Sequence, residues 1–149
     1  MQTLSDHILD IAQNSIRAQA SRVEIDLQEN ITEDSLVITI RDNGCGMDET
    51  TVAKVTDPFF TSRTVRKVGL GIPLFKQNAE ATGGTLKIKS KPGEGTTIEA
   101  SFGLLHWDRP PMGDIAGSIV ILVSANPEIN FIYRHIPRKK GNTRSTRMK

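Results

Sequence analysis

The sequence predicts an α/β sandwich: a mixed, mainly antiparallel sheet with helices on one face. Three observations carry this reading. Two pairs of short, apolar-rich strands are each joined by a polar turn, as in antiparallel hairpins. A segment of helical character precedes each pair. And 149 residues, 37% hydrophobic and 24% charged, suit one domain able to bury a core.

The elements follow in order. Ser5 is placed to cap a helix over 6–19, whose apolar set Leu4, Ile8, Leu9, Ile11, Ala12 and Ile16 keeps helical period. Residues 22–29 alternate, with Val23, Ile25 and Leu27 on one side and Glu24, Asp26 and Gln28 on the other. After a polar turn, Leu36, Ile38 and Ile40 repeat the pattern. Asp42-Asn43-Gly44-Cys45-Gly46-Met47-Asp48 is a turn, and Asp48 can cap a short helix over 49–55. Residues 56–69 are irregular, and a loop of that length in a compact domain is usually functional. Residues 70–82 read as a helix stopped by Gly83-Gly84. Leu86 and Ile88 mark a strand, 92–95 a turn, and 96–102 the returning strand. Residues 114–126 fit either helix or strand; helix is favoured because Ile115, Ile119, Leu122 and Val123 share a face. Residues 129–135 read as a strand. The expected organisation is a domain over 1–103, an appendix over 104–137 packed on it, and a disordered basic tail over 138–149.

Composition excludes several classes. The 19 basic and 17 acidic residues give a net charge of +2. The last twelve residues hold six of the basic ones, which leaves the body at −4. That argues against a nucleic-acid-binding face. No run of 18 apolar residues exists to span a bilayer, and the first residues lack a basic signal-peptide region. One cysteine, Cys45, rules out an internal disulfide and makes a reducing cytoplasm the default setting. His7, His106 and His135 have no cysteine partners at zinc-ligand spacing. No P-loop motif is present.

The first helix carries a second pattern. His7, Asp10, Asn14 and Arg17 are spaced 3, 4 and 3 residues apart and fall within about 80° of arc. Such a ridge is ordinarily a solvated face. Its oxygens would also suit Mg²⁺, a hard cation that shares its coordination with substrate phosphates and water.

Four segments in order decide between these readings: DIAQNSIRA; RDNGCGMD; TDPFFTSR with VGLGIPL; and GEGTTIEASF. Over residues 4–103 they resemble the nucleotide-binding boxes of the GHKL superfamily, whose ATP-binding fold is the Bergerat fold. DNGCGM and QNSIRAQASRVEIDL look like MutL. DPFFTSR and GLGIPLFKQNAEATGGTLKIKSKPGEGTTIEASF look like a histidine kinase catalytic domain. The resemblance implies two cofactors, ATP and Mg²⁺. It implies Asn14 as the metal ligand and Asp42 as the carboxylate that accepts from the adenine amino group. Gly44, Gly46 and Met47 lie in the base-binding turn, and Thr97 helps hold the base. Gly69, Leu70 and Gly71 lie at a helix N-terminus able to hold phosphate oxygens. Arg17 and Lys67 supply positive charge, with Arg63 as a weaker candidate.

Asp10 departs from the pattern and is the candidate catalytic residue. Hydrolysing branches carry Glu at that position and many histidine kinases carry Asn. An Asp can position a water or accept a proton, with a shorter reach. Cys45 reads as a wall residue, Phe59 and Phe60 as packing, and Trp107 as a cover for the core. The expected function is that of a stand-alone histidine kinase-like protein, transferring phosphoryl from ATP to a partner protein in regulation. Partners are ATP or ADP and a protein phosphoacceptor, and a homodimer is compatible. A slow ATPase switch and a non-catalytic nucleotide-sensing module stay open.

Overall fold

The computed structural model describes residues 3–56, 71–104, 106 and 109–136, together with the backbone of three short C-terminal strands. Helix α1 is Leu4–Arg17, followed by strands β1 (Arg22–Asn30) and β2 (Ser35–Asp42) and helix α2 (Glu49–Val55). Helix α3 (Gly71–Ala81) precedes β3 (Leu86–Lys91) and β4 (Gly95–Gly103). Helix α4 (Ile115–Ala125) and β5 (Asn130–Ile136) follow. The basic tail, expected as a frayed end, contributes β6 (Arg138–Lys139), β7 (Asn142–Thr143) and β8 (Thr146–Met148).

The start of α1 differs from the expectation. Thr3, not Ser5, is the N-cap: its Oγ1 accepts from the Asp6 amide at 3.1 Å, and Asp6 Oδ2 accepts from the Thr3 amide at 2.9 Å. This reciprocal capping box satisfies two backbone donors that the helix leaves open. Ser5 lies buried inside the first turn. The ambiguous segment 114–126 is helical, because Asp114 caps it through the Gly117 amide at 3.0 Å. Its Ile115, Ile119 and Leu122 are buried, and α4 packs against α1.

The main sheet runs β3-β4-β2-β1-β5-β8. It is mixed: β1–β2, β2–β4 and β3–β4 pair antiparallel, while β5 lies parallel to β1. A parallel neighbour needs a crossover, and α4 lies within the one between β4 and β5. Residues 104–136 therefore complete the same sheet. They also hold the start of α1, since the Leu4 and Ser5 amides donate to the Pro111 and Met112 carbonyls at 2.8 and 3.1 Å.

Side-chain alternation divides the sheet into two faces. Val23, Ile25, Leu27, Leu36, Ile38, Ile40, Ile98, Ala100 and Phe102 are buried on one, beneath Ile8 and Ile11 of α1 and Phe75 and Ala79 of α3. The other face is polar, where Arg134 bridges Asp26 at 2.6 Å and Glu24 at 2.7 Å. No described helix is long and apolar enough to cross a membrane.

Candidate functional site

Asp42 ends β2 on the helix-covered face, in phase with Leu36, Ile38 and Ile40. Its carboxylate is held at both oxygens. Ser15 Oγ of α1 donates to Oδ2 at 2.6 Å, and the Gly44 amide donates to Oδ1 at 2.9 Å. Ser15 is buried, so the first of these bonds is shielded from water. A carboxylate fixed in this way still has lone pairs for an outside donor.

The strand register places Thr96 directly across from Asp42, while Thr97 pairs with Arg41. Successive residues of a strand point to opposite faces. Thr96 thus shares the Asp42 face and Thr97 takes the other. Thr96 Oγ1 lies 2.8 Å from Ser90 Oγ, which also accepts from the Met47 amide at 2.8 Å. Ser90 and Thr96 line a cavity of about 630 Å³ whose walls also include Asp42, Val52, Ala53, Ile88, Lys89 and Lys91. Both Thr96 and Thr97 border it.

The turn after Asp42 is clamped between α1 and the β3–β4 hairpin. The Cys45 amide donates to the Ala18 carbonyl at 3.0 Å, and the Cys45 carbonyl accepts from the Gly93 amide at 2.7 Å. A Cβ at Gly44 would lie 2.8 Å from Ala18. Gly46 has φ +72°, and a Cβ there would overlap the Lys91 carbonyl oxygen. These glycines serve close backbone packing of the turn itself.

On α1, Arg17 Nη2 donates to Asn14 Oδ1 at 2.6 Å, and Asp10 lies one turn earlier. His7 keeps its place on the ridge but is enclosed instead of facing outward. It is fully buried, its Nε2 lies 2.7 Å from Asn78 Nδ2 of α3, and its ring stacks on Phe75 with centroids 5.0 Å apart. Among the described residues, its Nδ1 has no hydrogen-bond partner. Burial pushes its pKa below the ordinary imidazole value, opposed by the nearby Asp10 and Asp6 charges. Gly71 opens α3. Lys67, Gly69 and Leu70 lie outside the described residues, as do Arg63, Phe59, Phe60 and Trp107.

Sequence reasoning did not single out Ser15, Ser90 or Thr96, which the structure brings beside Asp42 or its cavity. Ser15 left a signal, as a polar residue in the stripe that also buries Ile8, Ile11 and Ala12. No signal singled out Ser90. Among the described residues, no three His, Cys, Asp or Glu side chains could hold a metal by themselves. The donor set on α1 fits Mg²⁺ instead as a shared ion. Asn14 would give one hard oxygen, Asp10 lies within a turn of it, and phosphates and water would complete the shell.

The histidine kinase-, DNA gyrase B- and HSP90-like ATPase family model matches residues 2–106. The chain is 34% identical over 96 residues to the Escherichia coli signal transduction histidine-protein kinase AtoS, covering 64% of this chain and 16% of that protein. It is 37% identical over 94 residues to the Pseudomonas aeruginosa sensor protein kinase FleS, covering 63% and 23%. The chain thus spans less than a quarter of these relatives. A crystal structure of the N-terminal domain of a DNA repair protein matches with TM-score 0.60 at 16% identity, over 99% of this chain and 52% of that one. That likeness shows the fold alone. The apolar sheet face, the fixed carboxylate at its end and the match over residues 2–106 agree: the chain belongs to the histidine kinase-, DNA gyrase B- and HSP90-like ATPases, as a kinase-like ATP-binding module.

Proposed function

We propose that this module binds ATP with Mg²⁺ and passes the γ-phosphoryl group to a partner protein. The observation that carries the reading is Asp42, a carboxylate held at both oxygens beside a cavity of about 630 Å³. A carboxylate there accepts from the adenine amino group. Asn14 would hold Mg²⁺ against the phosphates, and Arg17 would turn from Asn14 toward them. Gly71, at the start of α3, would meet the phosphates, and the resemblance gives Lys67, Gly69 and Leu70 the same role. Transfer is favoured over hydrolysis because the alignments with AtoS and FleS cover some two thirds of the chain. We assign the module to the cytoplasm, the compartment that supplies ATP.

A second reading, a slow ATPase switch, is favoured by one feature: Asp10, four residues before Asn14 on α1. ATP labelled at the γ-phosphate, incubated with the protein and a lysate, separates the two. A labelled partner supports transfer, free phosphate supports the switch, and neither product overturns both. If Asp10 acts as base, Asp10→Asn lowers turnover by about 10²–10⁴-fold while ATP affinity holds. Unchanged turnover would make Asp10 a spectator and leave only the kinase reading.

A further inference from the structure

Among the described strands, β3 is the outer one on its side of the sheet and pairs only with β4. That pairing fixes which of its backbone groups are left over. The Ser101 amide donates to the Thr85 carbonyl at 2.8 Å, one step beyond the Leu86–Ala100 pair. Directly opposed residues of an antiparallel pair alternate between bonded and unbonded. The backbone groups of Lys87 and Lys89 therefore face β4, and those of Leu86 and Ile88 point to the edge, where no described strand lies. The side chains alternate as well. Lys87, Lys89 and Lys91 are exposed on the open face of the sheet. None of them forms an ion pair with a described residue, although Glu99 lies across from Lys87. Leu86 and Ile88 are half-buried on the helix-covered face. Ile88 borders the cavity, whose lining also includes Val52 and Ala53 of α2.

We propose that this edge takes up an extended segment of a partner protein in which acidic and apolar residues alternate. Added beside β3, the segment pairs its backbone with the outward groups of Leu86 and Ile88. Its acidic side chains fall beside the three lysines, and its apolar ones beside Leu86 and Ile88. Charge selects this occupant. Lysines on an outer strand ordinarily keep it from pairing with its own kind. A second copy of this chain, docked antiparallel through β3, would set lysine next to lysine, which is unfavourable. A strand with acids at alternate positions meets opposite charge at each of them. A helical partner could answer the lysines, but it would leave the backbone groups of the edge to water.

The test uses a synthetic peptide of alternating glutamate and valine, as long as the six residues of β3. No nucleotide is added, so the outcome is independent of the ATP reading. Binding is followed by fluorescence anisotropy of the labelled peptide and by residue-resolved amide exchange of the protein. Wild type is expected to bind. The Leu86 and Ile88 amides should slow in exchange, while those of Lys87 and Lys89, already turned to β4, keep their rates. Lys87→Glu combined with Lys89→Glu changes two exposed side chains and is expected to lower the affinity by about tenfold or more. A second peptide with proline in place of each valine keeps the charge but cannot pair as a strand, and it should bind more weakly. No binding by wild type overturns the proposal, as does an unchanged affinity in the double variant. Equal binding of the proline peptide, or binding without slowed exchange at Leu86 and Ile88, would reduce the contact to charge attraction and overturn strand addition.

Discussion

Adding one methyl group at Gly46 tests whether the turn after β2 is clamped to the β3–β4 hairpin. Gly46 and Gly93 both have a left-handed φ, +72° and +80°. An alanine at either position meets the left-handed penalty of about 1–2 kcal/mol. The surroundings differ. Among the described residues, nothing beyond its chain neighbours lies within 4 Å of a Cβ on Gly93, whereas a Cβ on Gly46 overlaps the Lys91 carbonyl. The turn must then back away from the hairpin. That breaks the bond from the Gly93 amide to the Cys45 carbonyl and the bond from the Met47 amide to Ser90. Each contributes about 1 kcal/mol net. Gly93→Ala is expected to cost about 1–2 kcal/mol and Gly46→Ala about 3–4 kcal/mol. At about 2–4 °C per kcal/mol for a chain of this size, the melting points fall by about 4 and about 10 °C. Thermal unfolding of both variants in one buffer measures the difference. ATP titration should show binding lost in Gly46→Ala and kept in Gly93→Ala. Equal melting shifts would refute the clamp.

Three further outcomes follow from the geometry. Asp42→Asn presents an amide where two donors already converge, from Ser15 and Gly44. ATP affinity should fall by about 1.5–3 kcal/mol, and calorimetry that finds it unchanged would remove Asp42 from the base site. Asn14→Ala should weaken Mg²⁺-dependent ATP binding more than adenosine binding, because only phosphates share the ion; equal losses would assign Asn14 to the fold. His7 is buried with its pKa lowered, so as pH falls below about 6.5 the unfolded chain takes the proton first. Its contribution is constant above that value and is lost below it. The melting point of wild type should therefore drop from pH 7 to pH 5 more steeply than that of His7→Gln, and parallel slopes would show that His7 does not titrate on unfolding.

The local pattern of the chain was enough to locate α1 to α3, β1 to β5 and the turn that holds Asp42, because period and capping chemistry are properties of neighbouring residues; it left 114–126 open between helix and strand and gave no sign of the short strands at 138–148. It also put Asp10, Asn14 and Arg17 on one side of α1, since helical geometry fixes their angles. What it could not decide depends on contacts between residues far apart in the chain. His7 shares the arc of Asn14, yet α3 packs beside that turn and Phe75 and Asn78 enclose it. Thr96 and Thr97 are alike in sequence, and only the pairing of β4 with β2 chooses which one faces Asp42. A shift of one residue would exchange them, because side chains on a strand alternate. Ser90 meets Thr96 across the strand pair and the Met47 amide, 43 residues away in the chain. The parallel seat of β5 beside β1 is likewise a matter of which edge of the sheet was open after β2 and β4 had paired. A helix or a strand is specified by spacing along the chain, but a binding site is specified by which faces meet, and only tertiary packing sets that.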